Sequence, residues 1–484
     1  MARRSLAAAA AAVVLGVTLG NAPAASAQQR DAVVVVGDDV AATVAAVQAA
    51  GGQVRSVLHS VGGAAALLTE REAAVVEAAG LDVVADASAR VTSDGFGTTS
   101  GAGGLDMRVQ VAALNPTAAW DERAGAGVGI ALIDTGVSPS HELEGAIVAG
   151  PDLSGDDDGL DHYGHGTFMA GLIAGSTTGA APGAHVVSVK VAGADGSTSL
   201  STVLSAIDWA IAHRDEYALR VLSVSLAVDA APVWQADPLA IAAEVASRSG
   251  LLVVAASGNE GDGVTSPGIA PSALTVGATD VHDTAAVADD TVPEWSGRHG
   301  AKPELLAPGV SVVSARATGS TIDEAFPGAR VDEDHFRGSG TSMATALAAG
   351  AAAVVAEAAV DADAADLKAM LVGGGAPLAT ASPAKAVDVA AALAVTADGD
   401  GATKGHVRKG RFGEATWTGT RWAGTRWAGT RWAGTRWAGT RWAGTRWAGT
   451  RWAGTRWAGT RWAGTRWAGT RWAGTRWASA DFSP

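Results

Sequence analysis

Five short apolar runs alternate with helical patterns through residues 105–396, and this alternation restricts the fold more than any other feature. The runs lie at Val128–Ile133, Val186–Val191, Val221–Leu226, Leu251–Ala256 and Leu274–Val276. Runs of this kind are typical of strands buried on both faces of a parallel sheet. The helical patterns between them lie at Thr167–Ala174, Thr202–His213 and Leu239–Arg248. The sequence therefore predicts an α/β domain, with helices on both faces of a parallel sheet.

Residues 28–91 form a smaller unit with its own alternation of patterns. Strand patterns lie at Ala32–Val36, Gln53–Ser60, Ala64–Thr69 and Leu81–Val84, and helical patterns at Val40–Ala50 and Glu70–Ala79. This β-α-β-β-α-β order predicts a small α+β unit of the ferredoxin-like type. Residues 92–104 are rich in Gly, Ser and Thr and predict an exposed linker that is open to proteolysis.

The N-terminus, residues 1–27, has the features of a secretory signal peptide. Arg3 and Arg4 precede an apolar run from Leu6 to Leu19, and Ala25-Ser26-Ala27 matches a small-x-small cleavage site. A twin-arginine signal is an alternative. The run is shorter than the ~20 apolar residues of a membrane span, so we expect secretion without a transmembrane anchor. The chain has no cysteine, which excludes disulfides and thiolate catalysis.

The last segment, residues 397–484, is a linker followed by a repeat tail. Gly-Thr-Arg-Trp-Ala occurs twelve times between Gly419 and Ala478. A five-residue period puts neighbouring tryptophans on different sides of both a helix and a strand. The pattern therefore leaves a flexible low-complexity tail and a short-period solenoid or chain of turns as alternatives.

Charge is divided unequally between this tail and the rest of the chain. From Lys404 onward, sixteen basic and two acidic residues give a net charge of +14, whereas the rest of the chain carries −28. Three roles for the tail stay open: binding to the cell envelope or an anionic polymer, a plain solvated tail, and a substrate for modification. Nucleic acid is not an expected partner, because the protein is predicted to be secreted.

Three motifs lie at strand ends or helix starts within the α/β domain. Asp134-Thr135-Gly136 follows a strand, and His165-Gly166-Thr167 and Gly340-Thr341-Ser342 each open a helical pattern. Sites in parallel sheets form beyond the carboxyl ends of the strands, where such loops gather. Aspartate, histidine and serine are the groups that acyl transfer requires. Taken singly, each has a structural alternative, such as a helix-capping role for Ser342.

Two further observations bear on this chemistry. Asn259 follows the strand Leu251–Ala256 and could donate its amide N–H to an oxyanion, an ordinary turn being the alternative. Asp-Thr-Gly is also the signature of aspartic proteases, but that mechanism needs two carboxylates and only one such motif is present.

Together, Asp-Thr-Gly, His-Gly-Thr, the Asn259 segment and Gly-Thr-Ser-Met-Ala resemble, in this order, the motifs of the subtilisin family of serine endopeptidases. The resemblance covers about Leu105 to Val395. It implies a subtilisin-like fold, a triad of Asp134, His165 and Ser342, and an oxyanion hole formed by Asn259 and the Ser342 backbone N–H. His162 is not the expected base, because His165 has the His-Gly-Thr context.

The same resemblance implies a substrate-binding cleft. The substrate strand would pair with Ser225, Leu226 and Ala227, and the specificity pocket would be bounded by these residues and by Ala256, Ser257 and Gly258. Residues 28–91 resemble the inhibitory pro-domain of the family, with Val83–Val91 as its closing strand. The implied sequence of events is secretion, folding and self-cleavage within about Val91–Asp106.

Several positions depart from the family pattern. Ala227 replaces the usual glycine, Phe168 stands where many relatives have a second histidine, and Ala346 replaces a proline. No cofactor is expected to be required. The loop Ser176–Gly183 is too short for the calcium site that relatives with a longer loop have there. A calcium ion elsewhere stays an alternative at Asp156, Asp157, Asp158 and Asp161, which we expect to form a solvated acidic loop.

Two functions follow as hypotheses. The first is a secreted serine endopeptidase, with protein or peptide substrates and its own pro-domain as an inhibitor. The second is a binding or structural protein of the cell surface whose protease fold only presents the tail. The complete set of acyl-transfer residues favours the first, because a scaffold has no need of them.

Overall fold

A computed structural model describes residues 29–91, 95–96, 107–114, 124–228, 231, 233–379 and 382–395, with thirteen three-residue strands between 416 and 478. The predicted signal peptide lies outside the described residues, as do most of the 92–104 linker and residues 397–415. The chain divides into two compact units, Met1–Ala87 and Ser88–Pro484.

The first unit contains the predicted order of elements. They are β1 (Asp31–Val36), α1 (Val40–Ala49), β2 (Gln53–Leu58), β3 (Gly63–Leu68), α2 (Glu70–Ala78) and β4 (Asp82–Ala85). The four strands form an antiparallel sheet in the order β2-β3-β1-β4. Val35, Val47 and Val76 are fully buried in a small core beside this sheet. The unit ends at Ala87, four residues before the predicted end of the small domain.

The second unit is built on a nine-stranded sheet. Its strands, in spatial order, are β18 (Ala376–Pro377), β19 (Lys385–Ala386), β15 (Leu305–Pro308), β14 (Leu274–Thr279), β13 (Leu252–Ala256), β11 (Leu219–Val224), β7 (Gly129–Asp134), β9 (His185–Lys190) and β8 (Ile147–Asp152). All neighbours pair in parallel except β18 and β19. The predicted parallel α/β class is therefore confirmed.

Helices cover this sheet. They are α3 (Met107–Ala112), α4 (His165–Ala174), α5 (Leu200–Ala212), α6 (Pro238–Arg248), α7 (Thr321–Ala325), α8 (Thr341–Ala358), α9 (Ala364–Gly374) and α10 (Val389–Ala394). Ile130 and Leu132 of β7 belong to the core cluster that includes α4 and α8. Ala131 and Ile133, which alternate with them, are equally buried. Both faces of the strand are therefore covered, which explains its uninterrupted apolar sequence.

Helix α8 lies in the middle of the core. It contacts α4 and strands β7, β11, β13, β14 and β15. Its alanine-rich sequence allows this close approach, because small side chains leave room for the neighbouring backbones. The helix is long and apolar enough by composition to cross a membrane, but 83% of its apolar window is buried within the unit.

Strand β7 is the point at which the strand order reverses. The chain continues from β7 to β8 and β9 on one side of it, and then to β11, β13, β14 and β15 on the other. The loops that follow β7 and β11 therefore diverge at the carboxyl end of the sheet, where such a reversal opens a crevice. Asp134 is the last residue of β7 and lies at this point.

Two small sheets lie outside the nine-stranded sheet. In one, β5 (Ser88–Val91) lies between β10 (Ser197–Ser199) and β12 (Leu226–Ala227). In the other, β17 (His335–Ser339) lies between β16 (Val312–Ala315) and β6 (Gly95–Phe96). Every pairing in these two sheets is antiparallel.

The repeat tail forms short strands rather than helix. β20 (Thr416–Thr418) is followed by β21 to β32, each one Arg-Trp-Ala triplet from Arg421–Ala423 to Arg476–Ala478. Each strand pairs in parallel with the strand 20 residues later, so that Trp417 aligns with Trp437 and Arg421 with Arg441. Four repeats therefore make one turn of a coil with four parallel sheets. The two residues between successive strands lie outside the described residues.

Candidate active site

A buried carboxylate–imidazole pair lies at the carboxyl end of β7. His165 is the first residue of α4, and its Nδ1 lies 2.8 Å from Oδ1 and 3.0 Å from Oδ2 of Asp134. Both side chains are almost completely buried. The Thr135 backbone N–H donates to Oδ1 of Asp134 at 2.8 Å. Nε2 of His165 has no hydrogen-bond partner among the described residues, so the outer face of the ring is not engaged by them.

Ser342 is the second residue of α8 and is fully buried. The residue before the helix, Gly340, has φ 155° and ψ 161°, a conformation essentially confined to glycine. The Oγ of Ser342 donates to the carbonyl oxygen of Ser225 at 3.3 Å. At this position the serine lies among the helix N–H groups that have no partner within the helix. The end of the dipole there is positive, which favours an anion.

Asn259 presents an amide whose orientation is fixed. Its Oδ1 accepts from the Thr341 backbone N–H at 3.0 Å and from the Thr341 Oγ1 hydroxyl at 2.9 Å. Thr341 Oγ1 also accepts from the Gly258 backbone N–H at 3.3 Å. These bonds leave Nδ2 of Asn259 as the outward donor, and this buried atom has no partner among the described residues. A buried N–H without a partner is costly and indicates a site for an acceptor.

A cleft beside Ser342 holds an extended segment of this chain. Ala89 of β5 is fully buried and aligns with Thr198 of β10, and Arg90 aligns with Ala227 of β12. This segment is therefore held by backbone pairing on both edges, as in β-strand addition. Among the residues predicted to line the pocket, Ser225, Ala256, Ser257 and Gly258 are buried, and Ala227 is half-buried.

The sequence profile described as the subtilase family (peptidase S8) matches residues 125–387. The chain belongs to the subtilase family. Serine protease AprX of Bacillus subtilis (strain 168) is 36% identical to it over 271 residues, which are 52% of this chain and 61% of AprX. Subtilisin-like protease 9 of Arthroderma otae is 35% identical over 205 residues, which are 42% of this chain and 48% of that protein. The chain thus spans less than two thirds of these relatives.

The fold is similar to that of a solved structure, fervidolysin from Fervidobacterium pennivorans, described as a keratinolytic enzyme related to subtilisin. The similarity has a TM-score of 0.62 and 20% sequence identity, and it covers 76% of this chain and 61% of that one. The subtilisin-like fold inferred from the motifs is therefore confirmed.

Two positions at which this subtilase departs from the family pattern belong to its core. Phe168 is 1% exposed and Ala346 is fully buried. His162, which the motifs did not favour as the base, pairs with Asp158 near the surface, with its Nε2 2.8 Å from Oδ2.

The prediction of a solvated acidic loop is wrong for Asp161, whose side chain is buried. It also did not foresee that Asp156 forms an ion pair with a buried lysine. Asp161 is 3% exposed, because the backbone N–H groups of Gly164 and Thr167 and the hydroxyl of Thr135 all bind its carboxylate. Burial raises the pKa of Asp161, and these donors oppose the rise. Asp156 pairs at 3.0 Å with the buried Lys190. Within the described ranges, no three acidic or histidine side chains gather into a metal site.

Glu142 organises the short loop that follows α4. Oε1 accepts from the Thr177 hydroxyl and lies within hydrogen-bond distance of His335 Nε2. Oε2 accepts from the backbone N–H groups of Thr177 and Thr178 and from the Thr178 hydroxyl. His335 Nδ1 lies 2.8 Å from Asp332. Because these donors already bind both oxygens of the carboxylate, Glu142 is not available as a calcium ligand at this loop. The sequence patterns did not reveal this cluster, because His335 is 193 residues from Glu142.

The Glu142–His335 pair makes stability depend on pH. Burial alone would lower the pKa of His335, but Asp332 and Glu142 outweigh it and raise that pKa above its ordinary value of 6.5. The stabilising contribution of the imidazolium is therefore complete below pH 6.5 and is lost as pH rises through the raised pKa. Burial would raise the pKa of Glu142, but Thr177 and His335 lower it, so the contribution of the carboxylate is lost only in acid.

We predict that His335→Gln lowers the melting temperature more at pH 6 than at pH 9, as measured by differential scanning fluorimetry. His141→Gln is the matched control, because His141 lies beside Glu142 but is exposed. If His335→Gln lowers the melting temperature by the same amount at pH 6 and at pH 9, the prediction is wrong.

Proposed function

We propose that this subtilase is a secreted serine endopeptidase that is made as a self-processing zymogen. The observation that carries the proposal is the buried Asp134–His165 pair, whose Nε2 is unengaged by the described residues. The buried Nδ2 of Asn259, which also has no partner among them, supports it. A scaffold protein would gain nothing from burying these polar groups without partners, since each costs about 1–3 kcal/mol. The names of AprX and subtilisin-like protease 9 support the same activity.

In the proposed reaction, the Oγ of Ser342 attacks the carbonyl carbon of a peptide bond. Nε2 of His165 takes the hydroxyl proton, while the Asp134 carboxylate holds Nδ1–H and stabilises the imidazolium. The C=O electron pair moves onto oxygen, which accepts hydrogen bonds from Nδ2 of Asn259 and the backbone N–H of Ser342. Collapse expels the amine with the proton from His165 and leaves an acyl-enzyme. Water, deprotonated by His165, then releases the acid and restores the serine.

A peptide substrate would bind in extended conformation between β10 and β12. The pairing of Ala89 and Arg90 with these strands supports this, since the backbone supplies hydrogen bonds that any sequence can form. Ser225, Leu226 and Ala227 would form one edge, and Ala256, Ser257 and Gly258 would bound the pocket. The half-buried methyl group of Ala227 would limit the room beside the substrate backbone.

The segment Ser88–Val91 would be the product end of the inhibitory pro-domain. It pairs with β12 as far as Val91, and the next described residues, Gly95 and Phe96, pair with β17. Ser342 follows β17 by three residues and binds the Ser225 carbonyl beside β12. Val91 and Gly95 therefore both pair with strands that lie close to Ser342. We infer that the processed bond lies between Val91 and Gly95.

The first prediction of this proposal concerns Ser342→Ala, expressed as the full chain beside the wild type. The wild type should lose its N-terminal part and react with a fluorophosphonate probe, and the variant should do neither. N-terminal sequencing of the mature protein should begin within residues 92–95. If the wild type is neither processed nor labelled by the probe, the proposal of an endopeptidase is wrong. The binding or structural protein of the cell surface is then the function that is left. A processed Ser342→Ala chain in purified form would contradict self-cleavage.

The second prediction separates the oxyanion donor from its support. Asn259→Leu should lower kcat about 10²–10³-fold with little change in KM, which is the loss measured in subtilisin for an oxyanion-hole asparagine. Thr341→Val keeps the shape and the backbone N–H but removes the hydroxyl that binds Asn259 Oδ1. It should give a smaller fall in kcat, and Thr341→Ser should restore the rate. An unchanged kcat in Asn259→Leu would contradict the role of its amide.

We also propose that the tail binds a linear anionic polymer of the cell envelope. Twelve of its arginines lie in the repeats, and parallel pairing aligns the eight from Arg421 to Arg456 with the arginines 20 residues later. The repeats contain no acidic residue, so the tail carries a high density of positive charge. A polyanion would neutralise this charge, and arginine as a residue type binds phosphate oxygens bidentately. The regular spacing of the arginines along the chain and across the paired strands would therefore favour a ligand with regularly spaced anions.

Two variants with equal charge test the register of the tail. The first removes two complete rows and keeps two, by Arg→Gln at Arg421, Arg441, Arg461, Arg431, Arg451 and Arg471. The second removes the same number so that no two remaining arginines are paired, by Arg→Gln at Arg421, Arg461, Arg431, Arg471, Arg446 and Arg456.

Long-chain inorganic polyphosphate should bind the first variant several-fold more tightly than the second, with a steep salt dependence. Equal binding would show dependence on net charge alone. If the chain truncated before Lys404 binds polyphosphate as well as the full chain does, the tail does not take part in the interaction.

A further inference from the structure

Helix α4, which carries His165, cannot be capped by the residue that precedes it. That residue is Gly164, with φ 109°, and it offers no side-chain hydrogen bond. A Cβ atom at this position would lie 2.4 Å from Oγ of Ser320 and 3.1 Å from its Cβ. Sterics and backbone conformation therefore both confine the position to glycine. The first N–H groups of the helix need another acceptor, since they have none within the helix.

Asp161 supplies that acceptor from three residues upstream. Its Oδ2 accepts from the Thr167 backbone N–H at 2.7 Å, the bond that an aspartate at the cap position would make. Its Oδ1 accepts from the Gly164 N–H at 2.6 Å. The carboxylate thus sets the position of the first turn of α4, in which His165 is the first residue.

The same carboxylate reaches the loop that carries Asp134. Oδ1 of Asp161 accepts from the hydroxyl of Thr135 at 2.7 Å, and this hydroxyl oxygen in turn accepts from the Gly166 N–H at 2.8 Å. The Asp161 backbone N–H donates to Oγ of Ser138 at 3.0 Å. One buried side chain therefore connects the residue after Asp134 with the residues on both sides of His165.

We propose that Asp161 is a positioning residue for the Asp134–His165 pair, acting through Thr135 and the N-terminus of α4. This proposal rests on the endopeptidase function proposed above. Asp161 touches neither the substrate nor the reacting atoms. It adds to the bonds from Gly166 N–H to Thr135 Oγ1 and from Ser138 N–H to Thr167 Oγ1, which also join the segment after β7 to the start of α4. This alignment also keeps the Asp134 carboxylate in place to hold Nδ1–H of His165 and stabilise the imidazolium.

The test compares Asp161→Asn with Asp158→Asn in the full chain. Asp158 lies in the same loop, but its carboxylate is 38% exposed and pairs with His162. Asp161→Asn should lower kcat about ten- to a hundredfold with KM nearly unchanged, because misplacing the base weakens proton transfer without altering the cleft. The acidic limb of its kcat/KM profile should move to lower pH. Asp158→Asn should match the wild type in both respects.

A second pair of variants covers the case in which Asp161→Asn does not fold. Thr135→Val removes only the hydroxyl between Asp161 and Gly166, and Thr135→Ser retains it. The valine variant should reproduce the shifted profile and the serine variant should restore the wild-type profile. If the wild type is active and neither Asp161→Asn nor Thr135→Val shifts the profile, Asp161 has no positioning role. An inactive wild type would instead contradict the endopeptidase function itself.

Discussion

The contact on which the site depends is the buried hydrogen bond between His165 and Asp134. It joins the last residue of a central strand to the first residue of a helix, and each partner is fixed by its own element. Because both groups are removed from water, each would be costly without the other. The reversal of strand order at β7 creates the opening, and the two elements direct the side chains into it. The other two groups, Ser342 and Asn259, lie at the start of α8, where Asn259 Oδ1 accepts from the Thr341 backbone N–H.

Much of this architecture could be predicted from the sequence, because local patterns determine it. Strands buried on both faces have uninterrupted apolar runs, as in Val221–Leu226, and the observed strand Leu219–Val224 differs only at its ends. The helix predicted from Thr167 begins two residues earlier, at His165, because a carboxylate from outside the helix satisfies its first N–H groups. The order of the four motifs sufficed to indicate the family. Each motif follows a strand or opens a helix, and the sheet brings those positions to one edge.

The supporting residues could not be predicted in this way, because their partners are distant in the sequence or have common identities. Thr341 appeared only as part of a motif, and its contact with Asn259, 82 residues away, fixes the amide. Asp161 belonged to a run of acids, and only the fold separates its buried carboxylate from its exposed neighbours. Glu142 and His335 illustrate the same limit, since charge patterning describes single segments and not pairs that the fold brings together.

The 20-residue register of the tail has a consequence for how its length can change. Every strand-forming triplet from Arg421 onward is identical, so a strand pairs equally well with any triplet four repeats away. Duplicating or deleting one pentapeptide adds or removes a quarter turn at the end of the coil and leaves every remaining pair unchanged. Recombination between repeats in the coding DNA would therefore yield tails of many lengths with the same cross-section. The number of arginine rows is fixed by geometry, and only their length is free to evolve.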